Sequence, residues 1–316
     1  MRRSADTPPR EPTALRASVA LVGDRVDWHA RELAKALAAL GVRALPVRLE
    51  DCRFETHTTA GLRVAGFDDR LPDAVIVRSL SGGSFEAVTL RLGLLHALRD
   101  LGVVVWNDAR AIERCVDKSM TSFVLARAGI PTPPTWASES ADAARAIVQR
   151  EAARGPLVLK PLFGSQGRNL RLLHNANDVP NPDEVAGVYY LQRYLGVECD
   201  GGFRDLRVLV SQGRVIAAMV RHAPHWVTNL KQGGRPVAAV ADATIKDLAL
   251  RAAAAVGANF AGVDILYDAD GQPTVLEVNS MPAWSGLQKV TPFNIAATLA
   301  GDIVTAVLAR TQGAAE

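Results

Sequence analysis

Val275 to Pro282 reads VLEVNSMP, one short hairpin after GVDILYDADG at Gly262 to Gly271. Alternation places Glu277 and Asn279 on one face of a strand, about 7 Å apart by strand rise, while Val278 turns into the core. Asp264 on the neighbouring strand adds a third oxygen donor. Such a set suits the hard divalent cation that accompanies a nucleoside triphosphate. A hairpin with ordinary outward polar residues carries the same letters, and this segment alone leaves both readings open.

Two lysines and a loop extend the pattern. Lys118 opens a helix in VDKSM, and Lys160 ends the strand PLVLK immediately before PLFGSQGRNL. Two cations thus approach one glycine-bearing loop from different elements and can clamp a polyphosphate. Gly164, Ser165, Gln166 and Gly167 let backbone amides point at an anion and let the loop move as a lid. A plain hairpin turn with a snorkelling lysine accounts for the same residues, and the spacing matches neither the Walker nor the dinucleotide glycine pattern. In FRDLRVLV, Asp205 and Arg207 share one side of a strand, and Arg221 follows on the next strand after the SQGR turn. Two guanidinium groups can then face one pocket, as carboxylate or phosphate oxygens require. A solvated strand face with ion pairs is the competing reading. Downstream, HAPHWVTNLKQGG holds His222 and His225 three apart and Asn229 ahead of a glycine pair. With no third His or Cys nearby, these histidines read as solvent-facing or supporting residues rather than metal ligands.

The elements that must position these groups follow from the hydrophobic pattern. The 316 residues, 48% apolar, exceed what one core usually supports and leave room for an interdomain cleft. Ala17 to Gly23, Trp28 to Leu40 and Arg43 to Leu49 read as strand, helix and strand. The pattern recurs in Asp73 to Ser79, Glu86 to Asp100 and Val103 to Trp106, which predicts an α/β domain with a mostly parallel sheet. A helix at Lys118 to Ala128 ends in Gly129 and the turn-rich IPTPPTW. Beyond it the expectation is α+β: a helix at Asp142 to Ala153, strands at Leu157 to Pro161, Tyr189 to Leu195, Leu206 to Val210 and Val215 to Val220, and a helix at Thr244 to Val256.

A net charge of +3 without a long basic run gives no indication of nucleic acid as a partner, and three scattered cysteines fit reduced thiols better than a disulfide frame. No apolar run reaches membrane length, and the arginines of MRRSADTPPREPT precede no apolar segment. The expectation is a soluble, cytoplasmic protein with no membrane partner and a disordered opening tail.

The ordered set DKSM, PLVLKPLFGSQGRNL, YLQRYL, DLRVLV, TNLKQGG, GVDIL and LEVNSMP resembles the ATP-grasp fold, in its RimK-like branch of carboxylate–amine ligases. The resemblance runs from Asn107 to Arg310; the first domain, with Arg78 before a glycine turn and VVWNDARAI, resembles the family's Rossmann-like N-terminal (pre-ATP-grasp) domain more loosely. It implies a tail at 1–16, a pre-ATP-grasp domain at 17–112, a central subdomain at 113–190 and a C-terminal subdomain at 191–312. By position, Lys118 and Lys160 contact ATP phosphates, Gly164 to Gly167 cover them, and Gln192, Arg193, Tyr194 and Leu195 form the hinge that meets adenine. Asp264, Glu277 and Asn279 hold Mg²⁺, for which Mn²⁺ can substitute. Asp205 lies on the nucleotide side, and Arg207 and Arg221 lie near the transferred phosphate. Asn229 and Arg78 face the substrate. Two departures stand out: Arg193 replaces the usual hinge acid, and Val227 stands where relatives often have an arginine.

The chemistry implied is attack of a carboxylate on the γ-phosphate, then capture of the acyl phosphate by an amine, with release of ADP and phosphate. The resemblance points to an amino acid amine, glutamate first, and to a small carboxylate such as a pterin-type cofactor, with a protein tail as the other acceptor. It also implies a homo-oligomer, dimer or tetramer. A phosphotransferase using the same site without amine capture is the alternative, and a regulatory nucleotide-binding protein disagrees with the intact set of metal ligands.

Overall fold

A computed structural model describes residues 17–164, 166–199 and 201–313. The expected tail at 1–16 and the loop residue Ser165 lie outside the described residues.

The chain begins with β1 (Ser18–Val22), α1 (Trp28–Ala39), β2 (Arg43–Val47), the short pair β3 (Arg53–Phe54) and β4 (Leu62–Arg63), β5 (Ala74–Val77), α2 (Phe85–Asp100) and β6 (Val104–Trp106). Strands of continuous apolar residues cannot face water on either side, and they form a parallel sheet of order β2-β1-β5-β6, as the sequence pattern leads one to expect. Asp27 and Ser84 start α1 and α2 by accepting from the Ala30 and Ala87 amides, donors that a helix leaves unpaired in its first turn.

Two helices follow, α3 (Ala109–Val116) and α4 (Lys118–Arg127). Asp117 ends the first and caps the second, its carboxylate accepting from the Ser119 and Met120 amides. The cap fixes Lys118 as the first helical residue of α4.

The central layer consists of β7 (Thr135–Ser138), α5 (Ala141–Glu151), β8 (Leu157–Lys160), β9 (Arg171–Leu173) and β10 (Tyr189–Arg193). Its antiparallel sheet has the order β7-β10-β8-β9 and packs Leu157, Leu159, Tyr189 and Leu191 against Ala144 and Val148 of α5. The last layer holds β11 (Phe203–Ser211), β12 (Arg214–Ala223), β13 (Arg235–Ala239), α6 (Ala243–Val256), β14 (Phe260–Tyr267) and β15 (Pro273–Asn279). Here the order is β13-β12-β11-β14-β15, all antiparallel. Ile245, Leu248, Ala252 and Val256 of α6 cover Val208, Val263 and Val278 on one face of this sheet, which leaves the other face for polar side chains.

After the one-turn α7 (Ser285–Gln288) the chain ends in α8 (Ile295–Gly313), a helix that the sequence reading does not delimit. Ile295, Leu299, Ile303 and Val307 recur every four residues and make one apolar stripe. The stripe joins a core with Val19, Leu33 and Leu37 of the N-terminal layer and with Leu209, Phe260 and Trp284 of the last one. Among the described residues no helix is long and apolar enough to cross a membrane.

Candidate active site

Register brings the polar residues of the last sheet into one row. Asp205 lies opposite Arg221 on β12, Arg207 lies opposite Asp264 on β14, and Asp264 lies opposite Glu277 on β15. Arg207 clasps Asp264 with two bonds, Nη2 donating to Oδ2 at 2.7 Å and Nε donating to Oδ1. Arg221 Nε donates to Asp205 Oδ1 at 2.7 Å, and its Nη2 lies 3.0 Å from Asp264 Oδ2. The ion pairs considered for a solvated strand face therefore exist, but they are buried: Asp264 is 2% exposed, and Asp205 and Arg221 are each 4% exposed. Burial raises the Asp264 carboxyl pKa, but the charges of Arg207 and Arg221 outweigh it and hold the group down at about 2. Arg221 is pushed above its usual range because Asp264 and Asp205 outweigh the desolvation that lowers it.

Glu277 lies beside Asp264, and Asn279 Nδ2 donates to Glu277 Oε1 at 3.1 Å and to Gly262 O at 3.3 Å. Among the described residues no cluster of three His, Cys, Asp or Glu is arranged to hold a metal. The donor set at Asp264, Glu277 and Asn279 is instead two carboxylates and an amide oxygen. Two carboxylates held side by side repel unless a cation lies between or beside them, and oxygen donors of this kind fit Mg²⁺, which binds through one or two carboxylates and takes its other ligands from water and phosphate.

The lysines approach from the central layer. Lys118 Nζ donates to Leu162 O at 3.2 Å and to Gly164 O at 2.8 Å, which ties α4 to the glycine-bearing loop. Lys160 Nζ donates to Gln192 Oε1 at 2.6 Å. Desolvation lowers the pKa of both lysines, and the Glu277 carboxylate partly restores it. Gly167 takes φ +66°, and a Cβ there would come within 2.5 Å of Val227 Cγ1 and 2.6 Å of Asn229 Oδ1. The loop therefore lies directly on the segment that carries Asn229, and Gln232 Nε2 reaches Gln166 O at 3.4 Å.

Lys118, Lys160, Asp205, Arg221, Asp264 and Glu277 share one cavity, together with Gly164, Gln166, Gly167, Gln192, Arg193, Tyr194, Leu195 and Asn229. Val158, Leu195, Leu266 and Leu276 give this cavity apolar wall. Leu266, Leu276 and Trp226 are lining residues that the sequence reading missed. Alternation along β14 and β15 already placed Leu266 with Asp264, whereas Leu276 reaches the site because a bulge after Asp264 shifts the register. Trp226 meets Tyr194 edge to face at 5.7 Å between ring centres, a contact with no local sequence signal. Arg193, expected at the hinge, directs its guanidinium elsewhere: Nη2 lies 2.6 Å from Glu151 Oε2, and Nη1 donates to Glu151 O and Gly155 O.

Arg207 belongs to a second cavity of about 600 Å³, which also includes Arg221, Glu277 and Asn279 and extends to Arg78, Asp27 and His29 of the N-terminal layer. Arg78 lies at the end of β5, donates through Nη2 to Pro282 O at 3.0 Å and stacks 4.6 Å above the Trp284 ring. The two cavities meet at the carboxylate row.

The model of the RimK-like ATP-grasp domain matches residues 115–303. The chain belongs to the RimK-like ATP-grasp family. The tetrahydromethanopterin:alpha-L-glutamate ligase of Methanosarcina acetivorans is 32% identical over 306 residues, covering 84% of this chain and 92% of that one. The alpha-aminoadipate–LysW ligase LysX of Saccharolobus solfataricus is 30% identical over 207 residues, 63% of this chain. Among solved structures, the ATP-grasp ligase PsnB complexed with a minimal precursor superposes with a TM-score of 0.70 at 25% identity, covering 94% of this chain and all of that one. PsnB with its minimal precursor, Mg and ADP gives a TM-score of 0.68 at 25% identity, covering 93% and 98% of the two chains. RimK-like ATP-grasp members use ATP, and the relatives are named as ligases. Together they place this chain with ATP-dependent carboxylate–amine ligases and favour that reading over the phosphotransferase alternative.

Proposed function

We propose that the protein joins a small carboxylate to the amine of an amino acid, glutamate first, through an acyl phosphate, releasing ADP and phosphate. The observation that carries this reading is the Arg207–Asp264–Glu277 row, which faces two lysines beneath a glycine-bearing loop.

In this reading the cavity walls at Val158, Leu266 and Leu276 take the adenine, with Gln192, Arg193, Tyr194 and Leu195 as the hinge along its edge. Lys118 and Lys160 hold the phosphates, Asp205 orients the nucleotide side through Arg221, and Gly164, Gln166 and Gly167 close over them. Asp264, Glu277 and Asn279 would hold Mg²⁺ or Mn²⁺, and the ion, when bound, would neutralise phosphate charge. Lys160, Arg207 and Arg221 stabilise the charge that builds on the transferred phosphoryl oxygens as the substrate carboxylate attacks. Closure of the loop against the Asn229 segment excludes water, which would otherwise hydrolyse the acyl phosphate before the amine arrives.

The relatives that act on tetrahydromethanopterin favour a pterin-type acceptor here, and PsnB with its precursor keeps a peptide tail as the other acceptor. The proposal extends to a cytoplasmic dimer or tetramer, with domains at 17–112, 113–190 and 191–312. The test is ADP and phosphate release from Mg-ATP, scanned over amino acids with and without pooled carboxylates. Release that requires both an amine and a carboxylate supports ligation; release that requires one acceptor alone would overturn it.

A further inference from the structure

The cavity on the N-terminal side contains a cation that the protein itself leaves underused. Arg78 is 9% exposed, yet its Nε and Nη1 are buried with no hydrogen-bond partner; Nη2 alone is bonded, to Pro282 O. Stacking on Trp284 satisfies the face of the guanidinium and none of its N–H donors. A buried guanidinium short of acceptors is costly to keep, and such groups are ordinarily paired or sit where a ligand pairs them. Position supports the second case. Arg78 follows β5, whose N–H ladder to β1 ends at Val22, and β2 lies on the other side of β1. This is the point where the strand order of a parallel sheet reverses, and ligands bind outside the carboxyl ends of the strands at such points.

We propose that Arg78 is a specificity-determining residue that pairs with a spectator carboxylate of a substrate, one that is not activated by ATP. The inference rests on the ligase reading for the word substrate; the binding site does not require turnover. The cavity of about 600 Å³ runs from Arg78 to Arg207, Glu277 and Asn279, so a molecule gripped at one end presents its other end to the carboxylate row. A carboxylate fits this end better than a phosphate. Asp27 lines the same cavity close enough to act on Arg78 electrostatically, so the net charge offered at this end is small and a doubly charged anion would lose its hydration there for little return. Asp27 is itself held by the Ala30 amide and by His29 Nδ1 at 3.0 Å, so it does not swing over to neutralise Arg78. The spectator carboxylate belongs either to the amino acid or to a dicarboxylic acceptor.

The experiment is calorimetric titration of L-glutamate, glutarate and glutaramide into protein loaded with Mg²⁺ and a non-hydrolysable ATP analogue, for wild type, Arg78→Gln and Arg78→Lys. Loss of a charge-assisted pair should weaken the carboxylate probes about tenfold or more in Arg78→Gln, with partial recovery in Arg78→Lys and no binding of glutaramide. Analogue affinity measured on the same samples verifies that each variant is folded. Glutamate binding without glutarate binding assigns the site to the amino acid; equal dependence for both assigns it to the acceptor. Equal affinities in wild type and Arg78→Gln, or no binding of either carboxylate to wild type, would overturn the proposal. Arg78-dependent binding without ATP turnover would sink the ligase reading and leave this site standing, whereas turnover with an unchanged KM in Arg78→Gln would do the reverse.

Discussion

Arg207 and Asp264 face each other across β11 and β14, and the guanidinium meets both carboxylate oxygens. Arg221 adds a third contact at 3.0 Å, so one buried anion is shared by two buried cations. Arg207→Ala removes a group placed to neutralise the transferred phosphoryl oxygens and should lower kcat about 10²-fold, close to 3 kcal/mol. Single-turnover ADP formation measures it, and an unaltered rate would remove Arg207 from the transition state.

Asp264→Asn keeps the shape and removes the charge, leaving Arg207 and Arg221 buried without their shared anion. Breaking a buried pair in this way costs about 3–5 kcal/mol. A urea melt should show that loss, while Glu277→Gln, which removes a carboxylate from no ion pair recorded among the described residues, should melt near the wild type. If instead the Glu277 variant is the unstable one, Glu277 and not Asp264 is the carboxylate that holds the row together.

Glu277→Gln should nonetheless abolish metal-dependent turnover, because Asp264 is already paired to two guanidinium groups and Glu277 is the carboxylate left for a cation. ADP release should fall by at least about 10²-fold, and the Mg²⁺ concentration for half-activity should rise. A variant that keeps both would exclude Glu277 as a metal ligand.

Burial places the Lys160 pKa below the usual 10.5, with Glu277 opposing the shift. The unfolded chain then binds that proton more tightly, so between the lowered value and 10.5 this residue makes folding stability rise with pH. Phosphate binding has the opposite sign, since it needs the charged form. KM for ATP should therefore increase on the alkaline side earlier than an ordinary lysine would allow, and Lys160→Arg should flatten the profile. Parallel profiles for the two proteins would show that Lys160 does not set the limb.

Gly167→Ala tests the contact between the loop and the Asn229 segment. Its φ of +66° already disfavours a side chain, and the new methyl would come within 2.5 Å of Val227 Cγ1. The loop should stay partly open, with lower kcat and more ATP hydrolysed without product. Coupling of ADP to product would be measured; full coupling would show that closure does not depend on this approach.

The residue types and their alternation already fixed which side chains share a strand face: Asp205 with Arg207, and Glu277 with Asn279. The run of apolar strands and the helical periods between them made the layers legible as well, because those signals are local. What no local pattern carries is the partner. Arg207 meets Asp264 57 positions away, and Arg78 meets Pro282 204 positions away, through sheet register and layer packing that depend on the whole chain. The same holds for Arg193, whose choice of Glu151 over the hinge depends on how α5 lies against β10, and for α8, whose apolar stripe finds its place only when the N-terminal layer exists to receive it. The sequence determined the chemistry available to this protein; the tertiary structure decided which charges are neutralised inside it and which, like Arg78, are left for a ligand.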